Sequence, residues 1–233
     1  MLADVLKDLN KLSNPSKAKL LSRFFKTGKG EYGEGDKFIG IMVPQQRQVV
    51  KKYYKNIKFS EIKTLISNKI HEYRLTGLLM LVEKYKKADE KTKKEIFDFY
   101  LENTKHINNW DLVDVTCPRI VGKYLLDKDR SVLYKLARSK SLWERRISII
   151  STFAFIDADD FKDTLKIAEI LVHDKHDLIQ KAVGWALREI GKRNLNTEEE
   201  FLQKYYSVMG RTCLRYAIEK FPEVKRRAYL SKK

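Results

Sequence analysis

Trp110 and Asp114 lie four residues apart in the stretch Asn108-Asn109-Trp110-Asp111-Leu112-Val113-Asp114. On a helix that spacing sets an indole and a carboxylate on one face. Such a pair can stabilise a developing positive charge, the ring through its electron-rich face and the carboxylate by direct attraction. The carboxylate can also orient or deprotonate a water. An ordinary capping or surface aspartate is the alternative. The chain carries 48 Lys and Arg against 31 Asp and Glu, a net charge of +17. A polyanion is the natural partner of such an excess, although a merely basic protein is the bland reading. Asp114 would repel a polyanion's phosphates, so its presence on such a face calls for a reason, and catalysis is one.

A second constellation lies in 176–192. Ile179, Ala182, Val183, Ala186 and Ile190 form an apolar stripe, and Lys181, Trp185, Arg188 and Lys192 form another. The second stripe is either a strip of phosphate and sugar contacts or a core tryptophan with cations snorkelling around it. Trp143-Glu144-Arg145-Arg146 supplies further cations. Other chemistries find no support. His173 and His176 have no third ligand at metal spacing. In the Gly-rich stretch Gly28 and Gly33 have phosphate-loop spacing, but Glu34 stands where the lysine belongs. The zinc deaminase signature and a Gly-x-Ser-x-Gly elbow are absent. Cys117 and Cys213 read as reduced core thiols. No metal and no cofactor is expected.

Helices must position these residues. Leu2, Val5, Leu6 and Leu9 mark a first amphipathic helix. Asn14-Pro15 reads as a cap and first turn of a second, which carries Leu20, Leu21, Phe24 and Phe25 and ends at Thr27-Gly28. Five of the ten glycines fall in 28–40, the clear loop of the chain, whose Lys26, Lys29 and Lys37 could touch phosphates or simply be solvated. Further helices are expected near 44–55, 60–68, 71–87, 89–103, 110–126, 130–138, 141–156, 160–172, 176–192, 197–209 and 211–230. Pro118 should kink one of them and Pro222 another. No stretch alternates with period two for long enough to suggest a sheet.

Arg74, Trp110, Arg146 and Lys181 recur at intervals of 36, 36 and 35 residues, each near the start of a strongly apolar helix. Helix pairs at that period are the mark of an α-solenoid. The expected fold is therefore all-α, a single domain of HEAT-like helical repeats over 1–233 with a concave face. Superposed repeats would set those four residues in a row, a surface for a long anionic rod. No apolar run approaches the roughly 20 residues of a membrane span. The start Met1-Leu2-Ala3-Asp4-Val5 lacks a signal-peptide layout, and a cytoplasmic monomer is expected.

Taken together, Asn109 to Asp114, Trp143 to Arg146 and Gln180-Lys181-Ala182-Val183-Gly184-Trp185-Ala186-Leu187-Arg188-Glu189 resemble the bacterial DNA alkylation-repair glycosylases of the AlkD family. Phe25 to Gly28, Gly30 to Asp36 and the tail Arg215 to Lys220 resemble a large subgroup of it. The resemblance covers nearly the whole chain. It implies a HEAT-like solenoid that holds duplex DNA and excises N3- and N7-alkylated purines, in a cytoplasmic, nucleoid-associated setting. It implies Asp114 as the catalytic carboxylate, Trp110 and Trp185 as its flanking tryptophans and Arg146 as the active-site arginine. Candidate DNA contacts are Arg74, Arg145, Lys181, Arg188, Lys192, Arg211 and Arg215. Some members carry bulky aromatics seven and eight positions before the second tryptophan, where this chain has Leu178 and Asp177. The competing expectations are a non-catalytic nucleic-acid-binding repeat and a protein scaffold, neither of which needs Asp114.

Overall fold

Asn14 and Pro15 act as their types dictate. The Asn14 carboxamide accepts the Lys17 N–H at 3.0 Å, and Pro15 opens the helix where no N–H is needed. Ser141 and Asn194 cap later helices in the same way. A computed structural model describes residues 1–231. Among these residues the architecture is all-α, built from HEAT-like helix pairs, with one isolated β-bridge between Lys37 and Ile70. Among the described residues no helix is long and apolar enough to cross a membrane.

The chain divides into two compact units, Met1–Thr116 and a second that begins at Cys117. The first holds α1 (Leu2–Lys11), α2 (Pro15–Phe24), α3 (Val43–Tyr53), α4 (Phe59–Ile66), α5 (His71–Tyr85), α6 (Glu90–Glu102) and α7 (Trp110–Asp114). Its centre is α5, against which α3, α4, α6 and α7 pack. Every residue from His71 to Val82 is buried. A helix buried all round has no solvent side on which to leave a charge, so its polar residues must find partners inside. Glu72 shows this: its carboxylate accepts the backbone N–H groups of Ile39, Gly40 and Ile41 at 3.1, 2.7 and 3.2 Å. The end of the glycine-rich stretch is thereby pinned to α5. Gly40 sits there with φ +84°, and a Cβ would lie 2.0 Å from the Asn14 carbonyl oxygen, so no side chain fits.

The second unit holds α8 (Val121–Tyr124), α9 (Ser131–Ala137), α10 (Leu142–Ser151), α11 (Phe153–Ile156), α12 (Lys162–Leu171), α13 (Asp177–Gly191), α14 (Leu195–Tyr205), α15 (Arg211–Ala217) and α16 (Glu223–Ser231). Here α13 is central, touching α10, α12, α14 and α15. It packs closely on α15 at Gly184, where a Cβ would stand 2.4 Å from the Cys213 carbonyl oxygen. Backbone cannot yield as a flexible side chain can. Gly184→Ala is therefore expected to destabilise the protein by about 1–3 kcal/mol, read as a lower urea midpoint at unchanged slope; a midpoint equal to that of the parent would contradict the close packing.

Three expected elements differ. The helix expected over 110–126 is broken: α7 stops at Asp114, Cys117–Arg119 forms a 3-10 turn around Pro118, and α8 follows. The helix expected over 141–156 breaks at Thr152 into α10 and α11. The second helix, expected to end at Thr27-Gly28, stops at Phe24. Phe25 is buried, but Leu20 and Phe24 are 64% and 63% exposed. The break expected at Pro222 is present, between α15 with its 3-10 extension and α16.

Candidate active site

Helix α7 has five residues, too few to hold itself together by its own hydrogen bonds. It is fixed from outside. Asn109 accepts the Trp110 N–H on its side-chain oxygen at 2.9 Å. Asp111 accepts the Leu112 N–H at 2.8 Å on one oxygen and faces His71 Nε2 at 2.8 Å with the other. Leu112 and Val113 are fully buried, which turns Trp110 and Asp114 to the half-buried side. Trp110 and Asp114 thus share a helix as their spacing predicts, although that helix is shorter than the one expected over 110–126.

The Trp110 ring is set by aromatics from the end of the second helix. Phe25 stacks on it with ring centres 5.2 Å apart, and Phe24 meets it edge-on at 5.8 Å. Phe25 continues the stack to Phe38, which lies 4.6 Å from the His71 ring. Below the stack is a buried polar network. His71 Nδ1 is 3.2 Å from Asp36, the Arg74 guanidinium 2.7 Å from the same carboxylate, and Asn108 donates to its other oxygen at 2.9 Å. Burial pushes the Asp36 carboxyl up, but His71, Arg74 and Asn108 outweigh it and its pKa is lowered. Asp36, Arg74 and Asn108 also line a polar cleft of about 220 Å³ with Glu34, Lys69, Lys105 and His106.

Arg74 therefore does not stand on an open face as the repeat spacing suggests. It is only 4% exposed, paired with Asp36 and donating to the Asn68 carbonyl at 2.8 Å. The cause is the all-round burial of α5. His71, Asp36 and Asp111 escape a reading of the sequence alone, since 35 and 40 positions separate His71 from its partners.

The second unit carries the other candidates. Arg146 on α10 is buried and donates to the Leu178 carbonyl in the first turn of α13. Arg145 pairs with Asp174 at 2.7 Å and also donates to the carbonyls of Ser139 and Lys140. On α13, Trp185 is half-buried, packs edge-on against Phe153 at 4.6 Å and donates its indole N–H to Glu189 at 3.1 Å. Lys181 pairs with Asp177, Lys192 with Glu189 and Arg188 with Glu219. Arg211 donates to the Leu230 carbonyl, and Arg215 is exposed. Lys181, Trp185, Arg188 and Lys192 form one stripe of α13, but an acidic lattice that the spacing did not reveal accompanies its cations. Leu178 and Asp177 stand in the first turn, Leu178 buried and Asp177 exposed.

Beside Arg188, Glu198 on α14 is 2% exposed. Burial, helped by Glu199, raises its pKa to about 8 against the pull of Arg188 and Lys225. A raised carboxyl pKa means that the folded chain holds a proton the unfolded chain has lost, so stability falls as pH rises from about 4.5 to about 8. Glu198→Gln is expected to flatten that fall. At pH 9 the variant should exceed the parent by on the order of a few kcal/mol, with little difference at pH 4. Parallel thermal melts across that range would check it, and equal pH dependence in the two proteins would refute the assignment.

A family model described as "DNA alkylation repair enzyme" matches residues 5–221. The chain belongs to that family. Among solved structures, a protein titled "Predicted DNA alkylation repair enzyme from Enterococcus faecalis" superposes with a TM-score of 0.71 at 17% identity, covering 91% of this chain and 97% of that one. AlkD2 from Streptococcus mutans superposes with a TM-score of 0.56 at 15% identity, over 88% and 97% of the two chains. At these identities the likeness is one of fold. No curated protein matches the sequence. Family membership assigns the chain to the repair of alkylated DNA, and it gives the basic excess of +17 a substrate.

Proposed function

We propose that the protein is a DNA glycosylase that hydrolyses the N-glycosidic bond of cationic N3- and N7-alkylated purines in duplex DNA, the first step of base excision repair. The observation that carries this is α7: a five-residue helix held by a cap, an aromatic stack and a buried charge network, presenting Trp110 and Asp114. A passive binding surface has no use for a carboxylate on a helix held in this way.

Alkylation makes the purine a cationic leaving group. The bond from the sugar C1′ to the base nitrogen breaks, its electron pair stays on the base, and the base leaves neutral. No acid is needed to protonate it. The sugar becomes oxocarbenium-like, as in other glycosidic cleavages. Asp114 stabilises that charge, and it orients the water that adds to C1′ and takes the proton this water loses. The Trp110 indole adds its own attraction for the cation and packs against deoxyribose. Trp185 takes the matching part of second flanking tryptophan. Arg146 is retained as the active-site arginine, and its anchoring to the Leu178 carbonyl fixes it against α13. Arg145, Lys181, Arg188, Lys192, Arg211 and Arg215 serve backbone phosphates, the first four exchanging their acidic partners for the DNA. Arg74 is reassigned to the interior. The enzyme needs no cofactor, and it acts as a cytoplasmic monomer.

Incubation with a duplex that holds one N7-methylguanine, followed by alkali, is expected to cut the marked strand at that site. Salt-sensitive binding with no scission would instead identify a nucleic-acid-binding repeat of the same fold. Little affinity for duplex DNA at any salt concentration would identify a protein scaffold.

A further inference from the structure

We infer that His71 is a positioning residue for α7: as an imidazolium shared between Asp36 and Asp111, it locks in place the helix that carries Trp110 and Asp114. The link to catalysis rests on the glycosylase reading above; the link to α7 does not.

The geometry carries the inference. Both ring nitrogens face carboxylate oxygens, Nδ1 at 3.2 Å from Asp36 and Nε2 at 2.8 Å from Asp111. A neutral imidazole has one N–H, so one lone pair would point at an anion. Only the doubly protonated ring donates on both sides. The site is closed, His71 being 1% exposed and packed against the rings of both Phe38 and Phe25. Asp111 belongs to the first turn of α7, so the ring ties that turn to α5 and, through Asp36, to the glycine-rich stretch.

Other charged groups around the ring are accounted for. Arg74 on the same helix opposes the imidazolium but is itself held by Asp36. Glu72, also on α5, is engaged by the backbone of 39–41. Glu34, Lys69, Lys105 and His106 line the neighbouring cleft, beyond Asp36 and Arg74. Burial disfavours the charged ring, yet Asp111 and Asp36 outweigh it and the pKa of His71 is raised. The stabilisation is therefore complete below the ordinary histidine pKa of about 6.5 and is lost as pH rises through the raised value. As pH rises through that raised value α7 loosens.

Nitrogen-15 NMR of the full chain tests this without any variant. At pH 7 both His71 nitrogens should resonate as an imidazolium, and the Trp110 indole N–H should shift with the same midpoint as the ring. His71→Gln should remove that shift. It should also lower single-turnover release of N7-methylguanine about tenfold or more, as a misplaced catalytic group does, with duplex Kd within about twofold. Asp111→Asn, which keeps the histidine, should lower the midpoint. A neutral ring at pH 7, or a Trp110 signal indifferent to His71 titration, would overturn the inference. If the unaltered protein releases no base, the glycosylase reading fails, while the spectra still decide whether His71 holds α7.

Discussion

Asp114→Asn should slow single-turnover excision of N7-methylguanine by at least about 100-fold, the order of effect seen when one preorganised electrostatic group is removed from a developing charge. Affinity for the duplex should stay the same or tighten, because the change removes a negative charge from a surface that meets phosphates. The substitution is nearly isosteric and falls on the half-buried side of α7, so the cap at Asn109, the Phe25 stack and the His71 tie persist. Excision rates and fluorescence-anisotropy titrations on one preparation separate the two quantities. Loss of binding in step with rate would mean that Asp114 supports the fold; an undiminished rate would remove it from the chemistry.

An equally large effect is expected from the lesion. A base that leaves as a neutral species from a cation needs no acid, whereas an uncharged damaged base such as hypoxanthine must be protonated as it departs. The residues assigned to the site include one carboxylate, which the mechanism uses ionised, and no second acid. Hypoxanthine in the same duplex context should therefore be released about 100- to 10,000-fold more slowly than N7-methylguanine, the range that general acid catalysis ordinarily contributes. Comparable rates for the two lesions would require an acid that this account does not contain.

Much of the helical framework was legible in residue types, because caps and amphipathic stripes are local. Asn14-Pro15 begins α2 and Asn109 begins α7 as expected. Trp110 and Asp114 share a helix because four positions make one turn. The charge network was not legible, since His71, Asp36 and Asp111 come together only through tertiary packing. Repeat spacing alone would set Arg74 in an open row. A warning was present in Leu75, Leu78, Leu79, Met80, Leu81 and Val82, a run with apolar residues on every side of the helix that leaves no wet face for a cation. The stop of α7 at Asp114 has a visible cause in Pro118, while the break at Thr152 has neither proline nor glycine to announce it.

The most direct test is to identify what the protein sets free. Duplex DNA bearing one N7-methyl-2′-deoxyguanosine would be incubated with the full chain, and the small molecules and the strand weighed by mass spectrometry. Intact N7-methylguanine released in equal amount with an abasic strand is the expected result. A strand that keeps its methylated base, or one that keeps guanine and has lost only the methyl group, would contradict glycosidic hydrolysis as the reaction of this protein.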